Sequence, residues 1–156
     1  MIERYTLPEM GKIWNENSKF QSWLDVELAA CQANFELGKI TKEDLDQIKT
    51  KSKFNVERIK EIEKEVKHDV IAFLTNLNEY VGDAGRFIHV GMTSSDILDT
   101  GLSLQLRESC NLLINEIEEL ENAIRNLASK HKDTLMIGRS HAIHGEPISF
   151  GFKLAG

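Results

Sequence analysis

Apolar and polar positions alternate mostly with a helical period along this chain. Pro8 opens the first helical segment, where a missing N–H costs nothing. The second segment carries Phe20, Trp23, Leu24, Leu28 and Cys31 on one face, with Ser18 as its expected cap and Gly38 as its stop. Thr41 followed by Asp44 has the spacing of a capping box and opens a third helix. Asn55 heads a charged helix running toward Val66, and a further helix is expected over 69–81, ending at Gly82.

From Asp96 the pattern predicts a much longer helix. Leu106, Cys110, Leu113, Ile117, Leu120, Ile124 and Leu127 recur at spacings of four and three, a heptad seam. Glu116, Glu118, Glu119 and Glu121 lie outside it. One helix cannot bury its own seam, and the rest of the chain supplies too little helix to cover it. Residues 135–146 read as a loop, and Pro147 as the start of another apolar helix. The only β-like run is short, around 87–90. The expected class is all-α: a small helical domain over 1–110, then the truncated start of a long-helix bundle over 111–156.

Composition narrows this picture. The chain has 156 residues, 41% hydrophobic and 28% charged, inside the globular range. Its net charge of -6 comes with no dense basic patch, so nucleic acid is not an expected partner. No run suits a secretory signal or a bilayer span, which makes the cytoplasm the default location and excludes a membrane partner. Cys31 and Cys110 form no CxxC pair, and both are expected to be buried thiols.

The chemistry concentrates in a few segments. His68 lies in KHDV (67–70), with Asp69 placed to orient it. His89 precedes a helix start in RFIHVGMTSSD (86–96). His141 and His144 lie in GRSHAIHGEP (138–147), while His131 ends a charged helix, where terminal carbonyls are its expected partners. Histidine is the side chain most easily tuned to move a proton near neutral pH, although a structural hydrogen bond is its commoner fate. Thr93, Ser94 and Ser95 fall at a helix N-terminus beside Gly91, a place suited to a carboxylate or phosphate. A capping box of Thr93 with Asp96 accounts for only one of those hydroxyls. Arg4 and Tyr5 can hold a phosphate together or stand free in solvent. His141, His144 and Glu146 are weighed as metal ligands and set aside, because Gly145 and Pro147 break the helix that would align them.

Taken together, RYTLPEMGKIW (4–14), KHDV, GMTSSDILDT (91–100) and GRSHAIHGEP resemble the adenylosuccinate lyases of the fumarase/aspartase superfamily. The resemblance covers the whole chain. It implies a β-elimination across a C–N bond that splits adenylosuccinate into AMP and fumarate, and SAICAR into AICAR and fumarate, in purine biosynthesis. It implies no metal and no organic cofactor. By position, His141 matches the general acid and Ser140 a neighbouring hydroxyl that is Thr in many relatives. His68 matches a second essential histidine. Lys67, His68 and Asp69 match a substrate-contacting segment in which Arg often replaces Lys67. Thr93 and Ser94 match residues that bind the succinyl portion, and Arg4 and Tyr5 match a phosphate pocket. His89 resembles a further active-site histidine.

The family's loop of serines followed by Met-Pro-x-Lys-x-Asn, which supplies the base, is absent from these residues. The resemblance further implies a homotetramer with shared active sites, of which this chain would be an N-terminal fragment, inactive alone. Argininosuccinate lyase is the nearest alternative, and the Arg4–Tyr5 pair argues against it because that substrate has no phosphate. A non-catalytic helical oligomerisation module is the alternative from another class.

Overall fold

The computed structural model describes residues 2–156. The chain forms two compact units, the first running to Ser109 and the second Cys110–Gly156.

The first unit is helical. A 3-10 turn, Glu3–Tyr5, precedes α1 (Pro8–Ile13), α2 (Glu16–Glu36), α3 (Lys42–Lys51), α4 (Val56–Val66) and α5 (Asp69–Val81). A second 3-10 segment, Gly82–Phe87, leads to α6 (Ser94–Lys130), which continues into the second unit. Local chemistry explains most boundaries. Thr41 accepts from the Asp44 N–H, Asn55 from that of Arg58, and Gly38 and Gly82 take positive φ after α2 and α5. The cap of α2 is Asn15, whose Oδ1 accepts from the Ser18 N–H at 2.8 Å. Ser18, the expected cap, lies inside the helix and donates its hydroxyl to the Lys12 carbonyl instead. The long helix begins at Ser94, two residues before the expected Asp96.

The core is built on α2 and α5. Phe73 is fully buried, stacked on Phe20 at 5.7 Å and edge-on to Trp23 at 5.5 Å. Ile48, Ile59, Leu77, Val81 and Ile97 close around them. Gly101 lets α6 approach α2: a Cβ there would stand 2.7 Å from Trp23 Cδ1. Gln105 of the same helix donates to the Ile13 carbonyl at 2.7 Å.

The second unit departs from expectation in several places. Residues 135–146 are not a loop. β1 (Leu135–Ser140) and β2 (Ile143–Ser149) pair antiparallel, with Ile137 opposite Pro147 and Ser140 opposite Ile143. A bulge falls between Ile137 and Arg139, where Gly138 and Gly145 let the strands close. Pro147 therefore sits in a strand, and α7 (Phe150–Ala155) begins after a Ser149 cap. His131 bonds the Thr134 hydroxyl at 3.1 Å rather than a helix carbonyl. The seam of α6 is uncovered within its unit: Leu113, Ile117, Leu120 and Leu127 are exposed. Cys110 shares that exposure, so only Cys31 is the expected buried thiol. The run 87–90 forms no strand; it leaves the 3-10 segment through a left-handed His89.

No helix among the described residues is long and apolar enough to cross a membrane.

Replacing Gly101 with Ala should destabilise the protein by about 1–3 kcal/mol, because the rigid indole cannot yield as a flexible side chain would. A leftward shift of the urea midpoint at unchanged slope is the expected reading.

Candidate functional site

The predicted residues stand at element ends. Lys67 caps α4 in the left-handed region, φ 55°, its N–H bonded to the Glu63 carbonyl. His68 is the N-cap of α5, with Nδ1 3.4 Å from the Ile71 N–H. Asp69 Oδ1 lies 3.5 Å from that same Nδ1, beyond good hydrogen-bond length, and already accepts from the Val70 N–H at 2.8 Å. The imidazole is thus held loosely and stays about half exposed.

At the start of α6 the capping box is half made. Asp96 accepts from the Thr93 N–H at 2.8 Å, but the Thr93 hydroxyl returns no bond. The hydroxyls of Thr93, Ser94 and Ser95 have no protein partner among the described residues, and Thr93 and Ser95 are exposed. They are free donors on a positive helix end, beside one carboxylate that opposes an anion. Arg4 lies with its guanidinium 4.7 Å over the exposed Tyr5 ring. Ser140 and His141 belong to the second unit, on the hairpin. His141 and Ala142 form its two-residue tip with φ of 52° and 61°, the primed turn geometry that Asn-Gly usually fills.

Among the described residues, those with positive φ other than glycine are Lys67, His89, His141 and Ala142. Each costs on the order of 1 kcal/mol, and such outliers gather at functional sites.

No hydrogen bond or ion pair among the described residues joins the 67–69 segment to the 93–94 segment. A hollow of about 460 Å³ between α2 and α6, lined by Ser22, Asp25, Gln105 and Arg107, holds none of the predicted residues.

His89 is placed differently from the others. Its Nδ1 is 2.7 Å from Glu27 Oε1, and its backbone N–H donates to Glu27 Oε2 at 2.9 Å. Glu27 is 1% exposed. Burial pushes its carboxyl above the ordinary carboxylate range, and the bonds from His89 oppose that rise. Sequence reasoning missed Glu27. The signal was present: it stands seven residues after Phe20 and four before Cys31, on the core stripe of α2, where a carboxylate requires a partner. Cys31 Sγ lies 3.8 Å from the Phe87 carbonyl, and Asn34 Nδ2 donates to the Val90 carbonyl at 3.3 Å. Residues 27, 31 and 34 of one helix face therefore hold the segment 87–90 that leads into α6.

The fold is shared with solved structures of known enzymes. The chain superposes on a fumarate lyase from Mesorhizobium sp. BNC1 with TM-score 0.87 and 30% identity, over 94% of this chain and 35% of that one. It superposes equally on a 3-carboxy-cis,cis-muconate lactonizing enzyme from Pseudomonas putida, at 28% identity over 97% and 36% of the two chains. A family profile described as lyase matches residues 3–156, and the chain belongs to that family. It is 64% identical over its whole length to an adenylosuccinate lyase of Synechocystis sp. and 50% identical over 99% to one of Aquifex aeolicus. The chain spans 36% of the length of these curated relatives.

Burial, and secondarily the charge of Glu27, push the Cys31 thiol up to about 11. At pH 8 it should therefore alkylate far more slowly than Cys110, and mass spectrometry of the native chain of residues 1–156 should find the label on Cys110. The two rates should converge in denaturant.

Proposed function

We propose that these residues are the N-terminal portion of an adenylosuccinate lyase. The observation that carries the reading is the 64% identity across all 156 residues to a curated enzyme of that name, more than twice the identity to the superposable structures of other names. Fold alone would not separate an eliminating enzyme from a lactonizing one.

The reaction is a β-elimination. A base takes the proton beside a carboxylate, the C–N bond breaks, the C=C of fumarate forms, and an acid protonates the departing nitrogen. His141 is that acid. Its place at a strained two-residue tip, exposed and without a protein hydrogen-bond partner among the described residues, supports the role: the imidazole is presented rather than consumed by packing. Ser140 supplies a hydroxyl beside it. His68, with Lys67 and Asp69 around it, contacts the substrate. Thr93 and Ser94 offer free donors to the succinyl carboxylates, and Arg4 with Tyr5 to the phosphate. His89 presents a further ring to the same substrate.

The base lies in the remaining part of the parent protein. The same site serves adenylosuccinate and SAICAR in purine biosynthesis, in the cytoplasm and without a cofactor. The exposed seam of α6 supports assembly into a homotetramer with shared sites. Covering each of its leucines returns about 1.5–3 kcal/mol, enough to drive helix pairing. Residues 1–110 act as the substrate-binding helical domain, and 111–156 begin the central bundle.

Full-length protein should consume adenylosuccinate, followed by its loss of absorbance, and leave argininosuccinate untouched. His141→Gln should lower kcat by about 10²–10⁴-fold with assembly intact, the range expected for losing a general acid. Full turnover in that variant would remove His141 from the mechanism, and failure to cleave adenylosuccinate at all would reject the reading.

A further inference from the structure

We infer that Glu27 is the positioning residue of His89: from inside the core its carboxylate holds both the Nδ1 edge and the backbone N–H of that histidine, and so fixes Nε2 as the edge offered to an anionic oxygen of the substrate. The inference rests on the reading that His89 faces substrate.

The geometry is a chelate. Oε1 takes the ring at 2.7 Å and Oε2 takes the backbone N–H at 2.9 Å, so both carboxylate oxygens serve one residue. Held at two points, the left-handed His89 backbone (φ 68°) and its ring orientation are fixed together. Cys31 and Asn34 pin the residues on either side, Phe87 and Val90, to the same helix face. A buried carboxylate that accepts from a backbone N–H on one oxygen favours a donor on the other, which places a proton on Nδ1. Nε2 is then the free edge. It has no partner among the described residues, the His89 side chain is 20% exposed, and Nε2 is not among the buried atoms left unpartnered.

Protonating Nε2 gives an imidazolium whose charge the buried carboxylate balances. The pair is neutral overall, and its outer edge donates a hydrogen bond to a phosphate or carboxylate oxygen. Cys31, one turn along α2, is the ionisable neighbour that feels Glu27.

The test uses the full-length enzyme. Glu27→Gln keeps an acceptor for the backbone N–H and removes the charge. Its KM for adenylosuccinate should rise about tenfold, the worth of one charge-assisted hydrogen bond, with a smaller change in kcat. Glu27→Asp should restore part of the loss. A purely structural role would lower Tm and leave the KM of the folded enzyme in place. Weakened binding of AMP with fumarate unaffected identifies the phosphate as the oxygen that meets Nε2, and the converse identifies a carboxylate.

An assembled Glu27→Gln enzyme with wild-type KM, while His89→Gln is impaired, overturns the positioning role alone. Wild-type kinetics in His89→Gln overturn the substrate role beneath it. Should Glu27→Gln fail to fold, ¹⁵N-histidine spectra of the wild type decide: an Nδ1–H tautomer is expected for neutral His89, and an Nε2–H tautomer overturns the inference.

Discussion

A carboxylate inside a protein core must be answered by donors, and in this chain the answer organises a whole segment. Removing Glu27 from water costs several kcal/mol before any bond is counted. The two bonds from His89 offset much of that cost, and they can form only if residues 87–90 lie against α2 with His89 in a left-handed conformation. The apolar packing of Phe20, Trp23 and Phe73 would tolerate small slips of that segment. A two-point bond to a buried acid would not. The polar contact therefore contributes less to net stability than to uniqueness, and it specifies where the chain enters α6.

The two units solve the burial problem differently. The first closes its own core, because α2, α3, α4 and α5 each bring an apolar face to a common centre. The second has a helix whose apolar positions repeat along one seam, with no second helix of comparable length to cover them. Within these residues that seam stays uncovered. The same reasoning explains Cys110: its place in the heptad is a core position only when another helix faces it.

Where structure follows from neighbours in sequence, it was legible. Thr41 with Asp44, Asn55 with Arg58, and the glycines at 38 and 82 act within one turn of their own positions, and the helices they bound fell where expected. The cap of α2 was misread by three residues: Asn15 takes it, and the Ser18 hydroxyl donates to the Lys12 carbonyl from inside the helix. The hairpin gave no alternating pattern. Its strands hold glycines at the bulge and a proline at position 147, and its tip is His-Ala instead of the glycine-bearing pairs that announce such turns. The candidate site was legible as residue types in motifs, whereas Glu27 belongs to no motif and lies 62 residues from its partner. Only its misplacement on an apolar stripe betrayed it.

Backbone geometry joins the candidate residues more firmly than contact does. Lys67, His89 and His141 come from a helix end, a turn and a hairpin tip, and they share a conformation that side chains other than glycine rarely adopt. Glycine at any of these positions would relieve the strain at the expense of the side chain. Side-chain packing does not offset the strain at Lys67 and His141, which are exposed. For the side chains of Lys67 and His141 the described residues offer no bond to set against that strain, whereas at His89 the buried carboxylate of Glu27 supplies two acceptors.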